Sequence, residues 1–223
     1  MVPNHTNFEL AKLVFGAVET NRAGGRFVPV GYENLSTQVK FQLGTGANDT
    51  VRAPFGAEYA ARDDPSSGLV MKVELTPDKH TFIEGFEAKT VEEANTHSQA
   101  WFGKPTPNAM PNSTIKEQNG DRPPCLKLKI ATEGKKPTLV KVITVKEGKL
   151  SKETTGSVDD ITPGSSVLPI VRVQGGVYFI NRTYGCSLVA DAVLVIKQHG
   201  SASSSVTFDL GDDVVMQDDD DDE

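Results

Sequence analysis

The segment Cys125–Ile130 alternates apolar and basic residues, and this is the strongest structural constraint in the sequence. The apolar side chains after Cys125 fall on one side of the segment, and Lys127 and Lys129 fall on the other. Residues two apart share a face in an extended strand, so the pattern predicts a half-buried β-strand. The two lysines are therefore predicted to lie together on one face of a sheet.

Other segments share this β pattern, and helical patterns are scarce. The best short helix is predicted over residues 91–100, with Trp101 just after its end. Residues 103–124 contain five prolines and are predicted to form a long surface loop. Many short strands with Gly/Pro turns predict a barrel or a sandwich. The further strands are predicted at residues 39–43, 69–75, 139–145, 167–173, 176–180 and 187–197.

Charge divides the chain into a body and a tail. Residues 198–223 contain nine acidic residues and no Lys or Arg, while residues 1–197 contain 23 basic and 21 acidic residues, a net charge of +2. Such a tail repels itself and has little to bury, so it is predicted to be disordered. A tail of this kind is either a solubility device or an interaction segment that competes with a polyanion for the body. The terminal acidic run is Asp218, Asp219, Asp220, Asp221, Asp222 and Glu223.

Motifs of catalysis and metal binding are missing from the sequence. The four histidines lie far apart and have no metal-ligand spacing with the two cysteines. There is no phosphate-binding loop and no nucleophile-elbow motif. The chain is therefore predicted not to be an enzyme and to need no cofactor or metal. Cys125 and Cys186 are predicted to be buried, reduced thiols, which favours an intracellular protein.

Basic and aromatic residues are mixed along the predicted strands of the body. A groove that follows a phosphate backbone needs cations, and a surface that holds unpaired bases without reading them needs flat rings. Phe41, Phe55 and Phe179 are interpreted first as core residues, because phenylalanine is commonly buried. The candidate DNA-binding residues are Lys40, Arg52, Tyr59, Arg62, Trp101, Lys127, Lys129, Lys141, Arg172, Tyr178, Arg182 and Tyr184.

Three of these rings are the better candidates for base stacking, because polar or turn residues flank them. They are Trp101, Tyr178 and Tyr184.

Several segments follow one another in a distinctive order. They are residues 25–32, 37–41, 53–56, the strand to Leu75, and then 139–142 and 184–196, followed by the acids. This order resembles the single-stranded DNA-binding proteins proposed for nucleocytoplasmic large DNA viruses. Those proteins are in turn similar to the replication single-stranded DNA-binding proteins of short-tailed phages. The resemblance covers most of residues 24–223, and its most specific parts are the Ala-Pro-Phe-Gly element and the last apolar strand followed by acids.

The resemblance implies an all-β, OB-fold-type Greek-key barrel with insertions over residues 1–197, and a disordered acidic tail over 198–223. It implies non-sequence-specific binding of single-stranded DNA in replication, recombination or repair. It also implies that the tail recruits a polymerase, helicase or primase. The chain departs from the phage pattern because no aromatic residue follows Phe208. The expected location is the host nucleus or a cytoplasmic viral replication site, without a membrane partner; a homo-oligomer is left open.

Rival interpretations come from other classes of protein. A histone-chaperone-like β-barrel also uses an acidic tail, and a virion jelly roll also has high β content. A secreted lectin would account for the five Asn-x-Ser/Thr sequences. The single-stranded DNA-binding and histone-chaperone interpretations are distinguished by the polymer that binds, single-stranded DNA to the body or histones to the tail.

Overall fold

The computed structural model describes residues 2–21, 24–61, 64–103, 105, 110–118, 120–134, 136–146, 149–150, 152–180 and 183–198. Three groups of predictions lie outside these residues. They are the Arg62 site, the Arg182 site and the acidic tail beyond Gln198, including Asp218 to Glu223.

The described chain is mostly β-strand, with two α-helices and two short 3-10 helices. The strands are β1 Leu13–Phe15, β2 Glu19–Thr20, β3 Arg26–Tyr32, β4 Asn34–Gln38, β5 Lys40–Gln42, β6 Val51–Ala53, β7 Ala57–Ala61, β8 Asp64–Glu74, β9 Met110–Pro111, β10 Ile115–Lys116, β11 Cys125–Ile130, β12 Leu139–Lys146, β13 Lys149–Leu150, β14 Thr154–Thr155, β15 Ser165–Ile180 and β16 Thr183–Gln198. The helices are α1 Pro77–Thr96, α2 Ser98–Phe102, and the 3-10 turns Leu10–Lys12 and Val158–Asp160.

The strands form an all-β, OB-like barrel, as the sequence predicted. Strands β15 and β16, each 16 residues long, pair antiparallel along almost their whole length. From them the sheet continues through β3 to β1 on one side and through β11 and β8 to β7 on the other. Strand β6 pairs with β15 and is tied to β8 by an ion pair between Arg52 and Glu74, 3.2 Å apart. This contact joins β6 to β8 and so closes the ring of strands β6, β15, β16, β11 and β8; we call this junction the barrel seam.

Helix α1 is longer and begins earlier than the helix predicted over residues 91–100. Pro77 occupies its first turn, where its missing N–H costs nothing, and Gly103 ends the following short helix in a left-handed conformation. The predicted start was too late because two of the five buried positions of α1 are polar, so the apolar face of the helix is not apparent in the sequence. Those positions are Lys79, Ile83, Phe86, Thr90 and Ala94.

Residues 167–173 and 176–180 form one strand, β15, where the sequence predicted two. The pairing register shifts between Gln174 and Val177, so Gly175 and Gly176 form an irregularity within the strand rather than a break. A Cβ on Gly176 would lie 1.8 Å from the Val28 carbonyl oxygen, so only glycine allows β15 to approach β3 here. The remaining predicted strands are confirmed, with shifted ends.

The barrel interior is a continuous apolar core. The apolar face of β11 lies in it, since Leu126 and Leu128 are fully buried, and this confirms the alternation in that segment. Cys125 and Cys186 are buried free thiols, as predicted. Burial raises the pKa of Cys125 to about 11 and that of Cys186 to about 12, so both thiols are protonated at neutral pH.

The proline-rich segment is less loop-like than predicted. Its described part contributes the short strands β9 and β10, which pair with β16 and β11 respectively. The helices of the described chain include none long and apolar enough to cross a membrane.

Candidate nucleic-acid interface

A groove of about 620 Å³ lies on the outer face of β3, β15 and β16, and we call it the β15 groove. Its described lining contains no aspartate or glutamate. The described lining contains two cations, Arg26 and Lys129, so it has a net positive charge. The lining residues that carry the argument below are Arg26, Phe27, Asn112, Lys129, Gln174 and Tyr178.

Tyr178 forms the aromatic floor of the β15 groove. It lies opposite Phe27 of β3 and Gly185 of β16, and residues paired in this way share a face of the sheet. A Cβ on Gly185 would lie 3.1 Å from the Tyr178 hydroxyl oxygen, so glycine leaves room for the ring to lie across β16. Two rings and a glycine thus form a flat, partly exposed surface.

The Tyr178 hydroxyl group is neutral at physiological pH. Burial raises the pKa of Tyr178, and the hydrogen bond from Asn112 only partly opposes this effect. The Asn112 side-chain amide donates to the Tyr178 hydroxyl oxygen over 3.2 Å. This hydrogen bond fixes the orientation of the Tyr178 ring. The ring therefore presents an uncharged face to the groove.

Lys129 is the exposed cation of the groove floor, and Lys127 lies two residues before it on the same face of β11. The Lys129 ammonium donates to the Ser187 hydroxyl oxygen over 3.3 Å. Among the described residues, neither lysine has a carboxylate partner within ion-pair distance. Both are therefore available to a ligand phosphate, in agreement with the prediction that they lie on one open face.

Four other predicted cations are already paired with carboxylates. Lys40 and Arg172 both contact Asp191, at 2.5 and 2.8 Å. Arg52 pairs with Glu74 across the barrel seam, and Lys141 pairs with Glu153 beside β12. None of the four lines the β15 groove. Spacing alone could not predict this, because the carboxylate partners are distant in sequence.

Two of the three best stacking candidates are buried in the core. Tyr184 is fully buried and packs against Phe102 and Phe179, with ring centroids 5.3 and 4.9 Å apart. Trp101 is 8% exposed and stacks on His97. In β16, even-numbered residues up to Ala190 face inward, so Tyr184 points into the core and cannot present a ring to a base in this structure. Tyr59 is 44% exposed, but it lies on the edge strand β7 outside the groove.

Sequence reasoning missed four useful side chains of the groove: Arg26, Phe27, Asn112 and Gln174. Arg26 and Phe27 follow a double glycine at the start of β3, and they repeat the cation-next-to-ring pattern used for the other candidates. This pattern could have identified Arg26 and Phe27 from the sequence. No sequence pattern could have identified Asn112 and Gln174. They lie in the groove only because β9 pairs with β16 and because β15 is irregular after Gln174.

The described residues include no group of three or more His, Cys, Asp or Glu side chains able to hold a metal ion. A groove lined by two cations and three aromatic rings, Phe27, Tyr178 and Phe179, can bind an anionic chain and stack flat groups. Its lining shows no nucleophile activated by a base.

No family model and no curated protein sequence matches this chain. Among solved structures, gp2.5, a single-stranded DNA-binding protein encoded by bacteriophage T7, is 19% identical and matches over 72% of this chain and 87% of its own, with a TM-score of 0.41. A C-terminally truncated single-stranded DNA-binding protein of bacteriophage Enc34 is 13% identical over 86% of this chain and 98% of its own, with a TM-score of 0.39.

The Enc34 protein in complex with single-stranded DNA is 14% identical, over 82% of this chain and 96% of its own, with a TM-score of 0.38. These neighbours are phage single-stranded DNA-binding proteins. Likeness at this level is too weak to assign a fold or an activity to the chain. The predicted relation to large DNA viruses stays a prediction.

Proposed function

We propose that this protein binds single-stranded DNA without sequence preference along the β15 groove. The observation that carries the proposal is the combination of Tyr178 and Phe27 rings with Arg26 and Lys129 in a groove whose described lining contains no carboxylate. Unpaired bases stack on any aromatic face, and cations follow the phosphates, so this surface needs no base-specific contact. Duplex DNA hides its base faces and loses the stacking contribution.

The role is that of a binding protein in DNA replication, recombination or repair, and not that of an enzyme. The acidic tail competes with DNA for the groove and recruits replication proteins once it is displaced. The opposite charge of the body and the tail supports this extension. The proposed site of action is the host nucleus or a cytoplasmic viral replication site.

The deciding experiment is a fluorescence titration of the full chain with oligo-dT and with duplex DNA of equal length. Binding of oligo-dT well above duplex binding supports the proposal. Equal affinity for both, or no binding of either, contradicts it.

Tyr178 and the lysine pair are expected to contribute in different ways. Tyr178→Ala should weaken binding by roughly 1–3 kcal/mol with little change in salt dependence, because stacking releases no counterions. Lys127→Ala/Lys129→Ala should reduce the slope of log K against log salt by about 1.4, since each phosphate contact on a single strand contributes ~0.7.

Two control variants match these changes. Tyr178→Phe removes only the hydroxyl group that Asn112 contacts. Lys89→Ala on α1 removes a lysine that is paired with Glu92 and Glu93, at 3.1 and 2.9 Å, outside the groove. A loss of salt slope per lysine in Lys89→Ala as large as in the Lys127→Ala/Lys129→Ala variant would mean that overall charge, and not the groove, sets the affinity.

A further inference from the structure

The turn between β6 and β7 presents a phenylalanine ring to solvent. The Gly56 N–H donates to the Ala53 carbonyl oxygen over 3.3 Å and closes the turn, while Pro54 restricts its backbone. Gly56 has φ +66°, and a Cβ there would lie 2.5 Å from the Ile161 carbonyl oxygen, so glycine is required at this position. The turn is thus held rigidly, and it leaves Phe55 39% exposed, contrary to its interpretation as a core residue.

A lysine holds this ring in place on the outer face of the sheet. The Lys72 ammonium lies 5.2 Å from the centroid of the Phe55 ring. Lys72 of β8 lies directly opposite Lys127 of β11. Like charges opposite each other in a sheet repel, so this arrangement costs stability unless an anion lies between them.

The carboxylates near this pair neutralise it only in part. Glu58 contacts Lys72 at 2.8 Å, and Glu74 is paired with Arg52. Lys127 and Lys129 have no carboxylate partner among the described residues. Among the described residues, the cations Arg52, Lys72, Lys127 and Lys129 and the two carboxylates Glu58 and Glu74 therefore have a net charge of +2.

We propose that Phe55 is a second stacking platform for the same single strand, with a backbone phosphate between Lys72 and Lys127. This inference rests on the proposed function and extends it to a site outside the β15 groove. Lys129 lines the groove and Lys127 is two residues away along β11, so a continuous row of cations joins the two sites.

The distance between the sites sets a length requirement on the DNA. Strands β15, β16, β11 and β8 are consecutive in the sheet, so β15 and β8 are separated by about 14 Å at ~4.8 Å per strand. An oligonucleotide that covers only the groove cannot reach Phe55. A longer strand contacts both rings, and its affinity then depends on both.

The experiment titrates the full chain with oligo-dT of about 2 and about 12 nucleotides; the first is too short to span the two sites, and the second lies within the range of OB-fold site sizes. Phe55→Ala should raise the Kd for the longer strand about 5- to 150-fold, the effect of one stacked base, and leave the short strand unchanged. Phe55→Trp should retain affinity, and Phe55→Leu should behave like Phe55→Ala, because leucine keeps an apolar side chain without a flat ring. Glu58→Gln should tighten binding of the longer strand, because it removes a carboxylate beside the phosphate.

Leu35→Ala is the matched control, since Leu35 is 55% exposed on β4. A thermal melt of each variant checks that it folds, and Phe55→Leu retains the test if Phe55→Ala does not fold. If the unchanged protein binds the longer strand and Phe55→Ala or Phe55→Leu binds it equally well, the second platform is wrong while the proposed function stands. If the unchanged protein binds no single strand of either length, the proposed function fails and this inference fails with it.

Discussion

At the scale of single residues, the least expected feature is a buried lysine at the start of α1. The Lys79 side chain is 2% exposed, and its ammonium lies 2.6 Å from an Asp49 carboxylate oxygen and 3.3 Å from the Thr76 hydroxyl oxygen. Burial opposes ionisation of Asp49, but the hydrogen bonds from Lys79 and Thr45 outweigh it and lower the pKa of Asp49. The pair therefore ties the β5–β6 connection to the helix.

Removing one partner of this pair should destabilise the fold more than removing both. Asp49→Ala leaves a buried ammonium without its nearest carboxylate, and the expected loss is about 3 kcal/mol of unfolding free energy. Asp49→Ala/Lys79→Met should recover part of this loss, because the uncompensated charge is gone. Urea denaturation measures both variants.

The control is Lys12→Ala, which breaks exposed pairs with Glu9 and Glu33 and should cost less than ~1 kcal/mol. A double variant no more stable than Asp49→Ala would mean that packing, and not charge, explains the loss.

At the scale of elements, an irregularity in β16 explains why Lys40 and Arg172, two predicted DNA-binding residues, are paired with a carboxylate. Ile170 pairs with Ala192 while Val171 pairs with Ala190, so Asp191 is an extra residue in the strand. Such a bulge re-aims a side chain. Here the Asp191 carboxylate accepts hydrogen bonds from Lys40 of β5 and Arg172 of β15, and it ties three strands together.

Asp191→Asn should lower the unfolding free energy by about 1–3 kcal/mol near neutral pH, because hydrogen bonds to charged groups are lost. Partial burial opposes ionisation of Asp191, but Lys40 and Arg172 outweigh it and lower its pKa. A lowered carboxyl pKa stabilises the folded state above the unfolded value of ~3.9, and this contribution disappears as pH falls through the folded value.

The stability difference between the unchanged protein and Asp191→Asn should therefore be constant at neutral pH and shrink below about pH 4. Urea melts across this range measure it. A difference that does not change with pH would show that the asparagine acts through shape and not through charge.

At the scale of the whole molecule, the charge of the chain is divided unevenly. The full sequence has a net charge of −7, while residues 1–197 have +2. We propose that this tethered segment of nine acidic residues competes with DNA at high effective concentration, because a tethered segment does not diffuse away. Competition of this kind depends on charge and is weakened by salt.

Removing residues 198–223 should tighten binding of single-stranded DNA and abolish recruitment of replication proteins. The gain should be largest at low salt and shrink as the Debye length falls to ~8 Å near physiological ionic strength. Replacing Asp218 to Glu223 by Asn and Gln should reproduce much of the gain. Titrations of the intact and shortened chains at two salt concentrations measure the effect, and equal affinities at low salt would rule out competition by the tail. If the shortened chain binds no DNA while the intact chain binds histones, the chaperone interpretation replaces it.

The sequence by itself determined the β class of the fold, the apolar and basic faces of β11, and the division of charge between body and tail. These properties follow from local periodicity and from counting, which need no knowledge of distant contacts. The same periodicity placed Lys127 and Lys129 together on one open face.

Only the tertiary structure decided which of the other candidates are exposed and unpaired. Tyr184 is buried because its strand runs with that face against Phe102 and Phe179, and Arg172 is neutralised because a bulge turns Asp191 toward it. Phe55 shows the opposite case, a ring expected in the core that a tight turn holds in solvent. Exposure and ion pairing depend on residues that are far apart in the chain. Strand pairing brings these residues together, and sequence spacing does not reveal which strands pair.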